Sequence, residues 1–349
     1  MTPEAAAAAV HPTTQRQLDE AVARLREAAP TFARLPFPDR IALARSMQAG
    51  YVRVADQIVR AACVAKGIRA GTPTEGEEWA TGPWPVIRQL RLVAESLTSL
   101  QRTGHTPIGL VSRAADDQLI VRVFPANAID GVLFAGVTVD VRMQAGVTEA
   151  EMHATRAPFY RGRRHDGHTV LILGAGNLTC IPAMDVVTKL FNEAKVCLLK
   201  VSPINAYAGP LIEAAFAEPI QRGYLAVAYG GADEGGYLAH HPGVDEVHLT
   251  GSSASYDALV WGPPGPERES RTRTASWPSR RRASRARWLT TWASTATRRE
   301  HWSRRGDGLQ GRASSTESSG RWVHRRLTYL DERASWTKVP GVVAAAMRG

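Results

Sequence analysis

The stretch LILGAGNLTCIP, residues Leu171–Pro182, carries an apolar run into a Gly-Ala-Gly turn and on into a helix-like segment. A short apolar run of this kind suits a parallel strand buried on both faces. Glycines at the strand-to-helix turn let a dinucleotide's phosphates approach the backbone, and the usual spacing asks for a third glycine. Gly174 and Gly176 fill the first two positions, but Thr179 stands at the third. The acidic residue that would hold a ribose at the end of the next strand is also absent, and Lys200 takes its place. Alone, the turn reads equally well as a defective phosphate loop or as a tight corner. Its neighbours have to decide.

Downstream the pattern is regular. Val196–Lys200 reads as a second strand, Tyr224–Tyr229 as a third and Glu246–Thr250 as a fourth. Helical segments are expected between them at 182–194, 205–222 and 234–240. Strands alternating with helices predict an α/β fold built on a mostly parallel, Rossmann-like sheet with flanking helices. Ligands in such sheets bind at the carboxyl ends of the strands. Upstream, Leu18, Val22, Leu25 and Ala29 recur at helical spacing, as do Ile41, Leu43, Ala44 and Met47 after Pro36 and Pro38. Another helix is expected over Glu78–Leu100 and a strand over Leu119–Phe124; 129–139 has no clear pattern. An N-terminal helical region therefore precedes the sheet.

Two further features bear on chemistry. Lys200, in LLKVSP, offers an ammonium to ribose hydroxyls or to a 2′-phosphate, although a lysine at a strand end is commonly just solvated. VDEVHLTGSSAS, Val244–Ser255, delivers Thr250, Gly251 and Ser252 to the end of the fourth strand. Glycine there permits close approach, and the serine hydroxyl and N–H can donate to phosphate oxygens.

Taken in order, Gly174-Ala175-Gly176-Asn177, Lys200-Val201-Ser202-Pro203, Gly230-Gly231 and the run His241–Ser252 resemble the aldehyde dehydrogenase superfamily. The resemblance is good over 169–258 and looser over 15–168. It implies that Asn177 is the catalytic oxyanion-hole amide, donating to the alkoxide formed when a thiolate attacks an aldehyde. It implies cofactor-binding roles for Lys200, at the adenosine ribose, and for Ser202 beside it. Gly231 would allow close approach, and Gly251 with Ser252 would meet the pyrophosphate. The cofactor would be NAD or NADP, and Pro203, where an acid often favours NAD, leaves the choice open. The parent activity would be oxidation of an aldehyde, or reduction of an acyl derivative, through a cysteine thiohemiacetal. Its partner would be an aldehyde or acyl small molecule, and the parent a homo-oligomer.

The same pattern needs a cysteine nucleophile and a glutamate base beyond the Thr-Gly-Ser turn. No cysteine follows Cys197, and the expected glutamate and cysteine positions fall near Thr274 and Gly308. Residues 267–349 hold 18 Arg and one Lys, six of nine Trp, and no Ile or Phe. They carry 19 basic against 7 acidic residues, whereas 1–266 carry 24 against 26. The overall charge of +10 thus belongs to the tail. So little apolar surface cannot offset chain entropy, and the composition is that of GC-rich DNA read in the wrong frame. The expected division is a disordered 1–14, a cofactor-binding domain over 15–266, and a disordered or irregular, frameshifted tail over 267–349. As written, the chain is expected to be an inactive, truncated oxidoreductase.

A nucleic-acid-binding protein using the Arg/Trp tail is the alternative from another class, since arginine pairs with phosphates and tryptophan stacks on bases. The near-neutral body and the absence of a recognisable module argue against it. A non-catalytic nucleotide-binding remnant is a third reading. Cys63, Cys180 and Cys197 have no metal-ligand spacing and suggest a reducing, cytoplasmic setting. No metal site is expected from His165, His168, His240 or His241, and no membrane span from the short apolar runs. Cys180 reads as a small buried residue rather than a substitute nucleophile.

Overall fold

The computed structural model describes residues 10–162, 165–251, 253–262, 265, 288–291 and 324–325. The chain divides into two compact units, one of 1–106, 157–293 and 336–349, the other of 107–156 and 294–335.

The first unit is an α/β sheet domain with an N-terminal helical region. Helix α1, Gln15–Ala33, begins with a capping box in which Thr14 and Gln17 satisfy each other's backbone N–H groups. The segment before it is held too, because Thr13 N donates to Tyr229 O at 3.1 Å. The stripe Leu18, Val22, Leu25 and Ala29 is buried, as the spacing predicts, and Phe32 continues it. Helix α2, Phe37–Lys66, starts at the proline pair and ends at Gly67, whose φ of +67° closes the last turn. Arg40, 1% exposed, donates to Phe32 O at 2.6 Å and Leu35 O at 2.8 Å. It places a positive charge where α1 leaves its carbonyls unpaired. Its guanidinium also lies 5.0 Å from the Phe32 ring centroid and 5.6 Å from that of Tyr160.

Where one helix is expected over 78–100 there are two, α3 Pro73–Thr81 and α4 Pro83–Thr103. Pro83 has no N–H to continue α3, and Gly82 makes the corner with φ −116° and ψ −104°. The sheet consists of β4 Thr169–Leu173, β5 Val196–Lys200, β6 Leu225–Ala228, β7 Glu246–Leu249 and β8 Trp288–Thr291. All pairs are parallel, in the order β6-β5-β4-β7-β8. Helix α7, Cys180–Val187, runs into a π-helical turn at Thr188–Asn192 rather than continuing as α-helix. The helix expected over 205–222 is three pieces: a 3-10 turn Pro203–Ala208, α8 Gly209–Ala215 and α9 Ala217–Gln221. Pro203, Pro210 and Pro219 remove the amides that one continuous helix would need. Helix α10, Ala232–His240, returns the chain to β7, and α11, Ser253–Trp261, follows it. Helices α1 and α10 lie against the sheet, tied by Tyr237 to Asp19, while α7 packs against β4 and β5 with α4 outside it.

Helices α2 and α8 cross closely at Gly50, where a Cβ would sit 2.0 Å from Ala215 O. Gly50→Ala is expected to lower the unfolding free energy by about 2 kcal/mol, despite alanine's better helix propensity. Urea denaturation measures this, and an unchanged or higher midpoint would mean that the helices are free to separate.

At the amino end of the sheet lies a buried ion cluster. Lys189 Nζ, 1% exposed, donates at 2.7 Å to Glu246 and at 2.7 Å to Glu193, and Lys195 reaches both carboxylates. Burial alone would raise the Glu246 carboxyl, yet Lys189 and Lys195 together hold it below the ordinary carboxylate range.

The second unit carries β1 Val111–Arg113, β2 Leu119–Phe124 and β3 Val139–Arg142, with α5 Ala128–Leu133 and α6 Glu149–Thr155. The three strands pair antiparallel, and β9, His324–Arg325, continues the sheet beyond β3. A cross-strand ion pair of 2.6 Å joins Arg122 to Asp140 and holds the Asp140 carboxyl down. Both β8 and β9 come from the stretch beyond Glu267, whose remaining residues lie outside those described.

Candidate functional site

Because the strands are parallel, the turns after β4, β5, β6 and β7 all open at one edge of the sheet. From β4 the chain steps outward to β5 and β6, then returns across to β7 on the other side of β4. The direction reverses between β4 and β7, and this is where open α/β sheets form a ligand crevice. The turn after β4 carries Asn177, and the turn after β7 carries Thr250 and Gly251.

The β4 turn is built tightly. Gly174 N donates to Lys200 O at 3.0 Å. A Cβ on Gly176 would come within 3.0 Å of Ser202 Oγ and 3.3 Å of Ile204. Asn205, 2% exposed, donates from its side-chain amide to Ala175 O at 3.1 Å and Leu178 O at 3.4 Å. It therefore clamps the turn from the following βα connection. Asn177 is exposed, and its amide makes no hydrogen bond among the described residues. The glycines shape the corner, and the asparagine amide remains available.

Lys200 ends β5 at 7% exposure, and Ser202 stands at the start of the short helix beside it, with no capping bond from its side chain. The Lys200 ammonium has no hydrogen-bond partner among the described residues. Burial pushes it down from its ordinary range, and the charge of Glu234 pulls part of the way back. An ammonium this buried needs an acceptor. Gly231 caps α10; a Cβ there would meet nothing nearer than a Glu234 oxygen at 3.9 Å, while its N–H donates to that carboxylate at 2.6 Å. Gly251 is exposed at the crevice, and Ser252 lies outside the described residues. The sheet thus brings Asn177, Lys200, Ser202, Gly231 and Gly251 to one edge.

A polar link below the β7 turn has no counterpart in the sequence reading. Asp185 of α7 accepts from Thr250 Oγ1 at 2.9 Å and sits 3.2 Å from His248 Nε2. His248 is 2% exposed, and its Nδ1 is buried without a partner among the described residues. The period-two pattern of β7 puts Glu246, His248 and Thr250 on one face, and helical spacing puts Asp185 and Lys189 four apart. Those two periodicities are the signal that could have found it. Asp185→Ala is expected to lower the unfolding free energy by about 1–3 kcal/mol, since it leaves a hydroxyl and an imidazole unpaired. Asp185→Asn keeps an acceptor for Thr250 and should recover part of the loss. Equal melting of all three proteins would count against the link.

The three cysteines are buried. Burial raises each thiol: Cys180 to about 12, Cys197 well above its usual range, and Cys63 less. A thiolate nucleophile requires the opposite shift. No group of three or more His, Cys, Asp or Glu among the described residues is placed to hold a metal, and none of the described helices is long and apolar enough to cross a membrane.

No family model matches the sequence, and no curated protein matches it. Solved structures to which the chain is similar include one from Anabaena variabilis described as the aldehyde dehydrogenase PutA, 17% identical, with a TM-score of 0.45 over 75% of this chain and 43% of the other. Another, from Burkholderia cenocepacia and described as an aldehyde dehydrogenase, is 11% identical, with a TM-score of 0.44 over 81% and 45%. A third is the NAD-dependent benzaldehyde dehydrogenase of Corynebacterium glutamicum, 13% identical, with a TM-score of 0.41 over 72% and 43%. The chain spans less than half the length of each.

Proposed function

We propose that the sheet unit binds a nicotinamide dinucleotide, NAD or NADP, as the cofactor-binding part of an aldehyde dehydrogenase-like oxidoreductase. The observation that carries this reading is the reversal of strand order between β4 and β7, with the Asn177 turn and the Thr250-Gly251 turn flanking it. The residues present suit the group. Lys200 is a buried ammonium without an acceptor among the described residues and would hold the adenosine ribose, with Ser202 beside it. Gly231 would admit the cofactor to the backbone, and Gly251 with Ser252 would receive its pyrophosphate. When bound, the nicotinamide supplies a hydride acceptor or donor.

In a complete active site Asn177 would donate its amide to the oxyanion of an aldehyde or acyl substrate. The cysteine and the glutamate base are not supplied by this chain. Its cysteines are buried, burial raises their thiols, and none follows Cys197. The function proposed for the polypeptide is therefore cofactor binding without aldehyde turnover, with 267–349 read out of frame. Reading the coding DNA in its other two frames should yield a Glu-Leu-Gly segment and a following cysteine; their absence from both would end the frameshift account. Calorimetric titration of the full chain with NAD and with NADP, followed by addition of an aldehyde, tests the rest. Saturable binding with no reduced nicotinamide produced is the expected result. Absence of binding by both cofactors would refute the reading.

A further inference from the structure

Beside Lys200, the turn after β6 holds an acid that the sequence reading leaves without a role. Lys200 and Ala228 are in register on neighbouring strands, and Val201 N donates to Ala228 O at 2.9 Å. Two residues on, Gly230 has φ +134°, and a Cβ there would strike the Glu234 carboxyl at 2.4 Å. Glu234 therefore folds back over the Gly230-Gly231 turn, where its Oε2 accepts from Gly231 N at 2.6 Å. Its second oxygen makes no hydrogen bond among the described residues. The end of β5 presents a buried ammonium, and the neighbouring turn at the start of α10 presents a carboxylate with one oxygen left to accept. The Glu234 charge opposes the effect of burial on the Lys200 ammonium.

We propose that Glu234 is the specificity-determining residue of this site, selecting a ribose with free hydroxyls, and so NAD over NADP. The inference rests on the cofactor-binding reading above. A free carboxylate oxygen accepts from a ribose hydroxyl, the role an acid at a strand end plays in other dinucleotide sites. A 2′-phosphate would instead bring about two negative charges against it. Pro203 cannot supply that acid, and Glu234 does so from the next βα turn.

Glu234 also caps α10, so the test must separate charge from cap. Glu234→Gln keeps a side-chain oxygen for Gly231 N and removes the charge. Asp233→Asn, at the exposed neighbour, is the control, and thermal melting verifies that each variant is folded. Dissociation constants for NAD and NADP are measured on the full-length wild-type chain and both variants. The wild type should bind NAD roughly tenfold or more tightly than NADP, and E234Q should cut that ratio by roughly tenfold through gained NADP affinity. D233N should leave the ratio unchanged. A wild type that binds NADP as well as NAD, or an E234Q ratio equal to the wild type's, would overturn the assignment while leaving cofactor binding intact. Failure of both cofactors to bind the wild type would overturn the site reading and this inference with it.

Discussion

Glu246→Ala is expected to lower the unfolding free energy of the sheet unit by about 3 kcal/mol, because it removes one of the two carboxylates that pair the buried Lys189 cation. Lys189 is 1% exposed, so water cannot replace the lost carboxylate, and Glu193 alone remains within reach beside it. The same cluster makes stability depend on pH. An unfolded glutamate titrates near about 4.3. The folded Glu246 titrates lower, since the two lysines outweigh the effect of burial. Its stabilisation is therefore complete above the unfolded value and is lost as pH falls through the folded one. Urea midpoints taken between about pH 7 and pH 3 should fall more steeply for the wild type than for Glu246→Gln. Parallel curves would show that the cluster does not titrate with folding.

Lys200→Met is expected to weaken NAD binding by roughly 10- to 100-fold, the loss of a charge-assisted hydrogen bond from a buried donor. Stability should move the other way. The Lys200 ammonium has no hydrogen bond among the described residues, so an apolar side chain of similar length removes a desolvation penalty without breaking one of those contacts. Weaker binding combined with an equal or higher melting temperature would separate a cofactor contact from a structural role. Unchanged affinity would remove Lys200 from the site.

The sheet was legible because its strands are local signals. LILGAG, VCLLK and VDEVHLTG each mark an apolar run followed by a turn, and β4, β5 and β7 fall where those runs predict. The buried stripe of α1 follows the spacing of Leu18, Val22, Leu25 and Ala29. The helices failed where prolines intervene, at Pro83 and from Pro203 to Pro219, because periodicity persists through a break that the missing amide enforces. The site was legible as a set of turns but not as a set of contacts. Nothing near Asn205 in sequence says that its amide reaches back some 30 residues to Ala175 O. The periodicities of α7 and β7 mark the faces that carry Asp185 and His248, but that the two meet depends on how α7 packs on the sheet. Glu234 is only the first residue of an expected short helix until the parallel register brings its turn next to the end of β5.

The central claim is that one edge of this sheet holds a nicotinamide dinucleotide. Amide hydrogen exchange of the full chain, with and without saturating NAD, tests it most directly. The account predicts slowed exchange confined to the turns after the strands, at 174–180, 200–205, 230–234 and 250–251, with the opposite edge around Glu246 and Lys195 unchanged. Absence of protection in those turns, or protection confined to the groove that His11, Arg24 and Glu213 line along the outer side of β6, would contradict it.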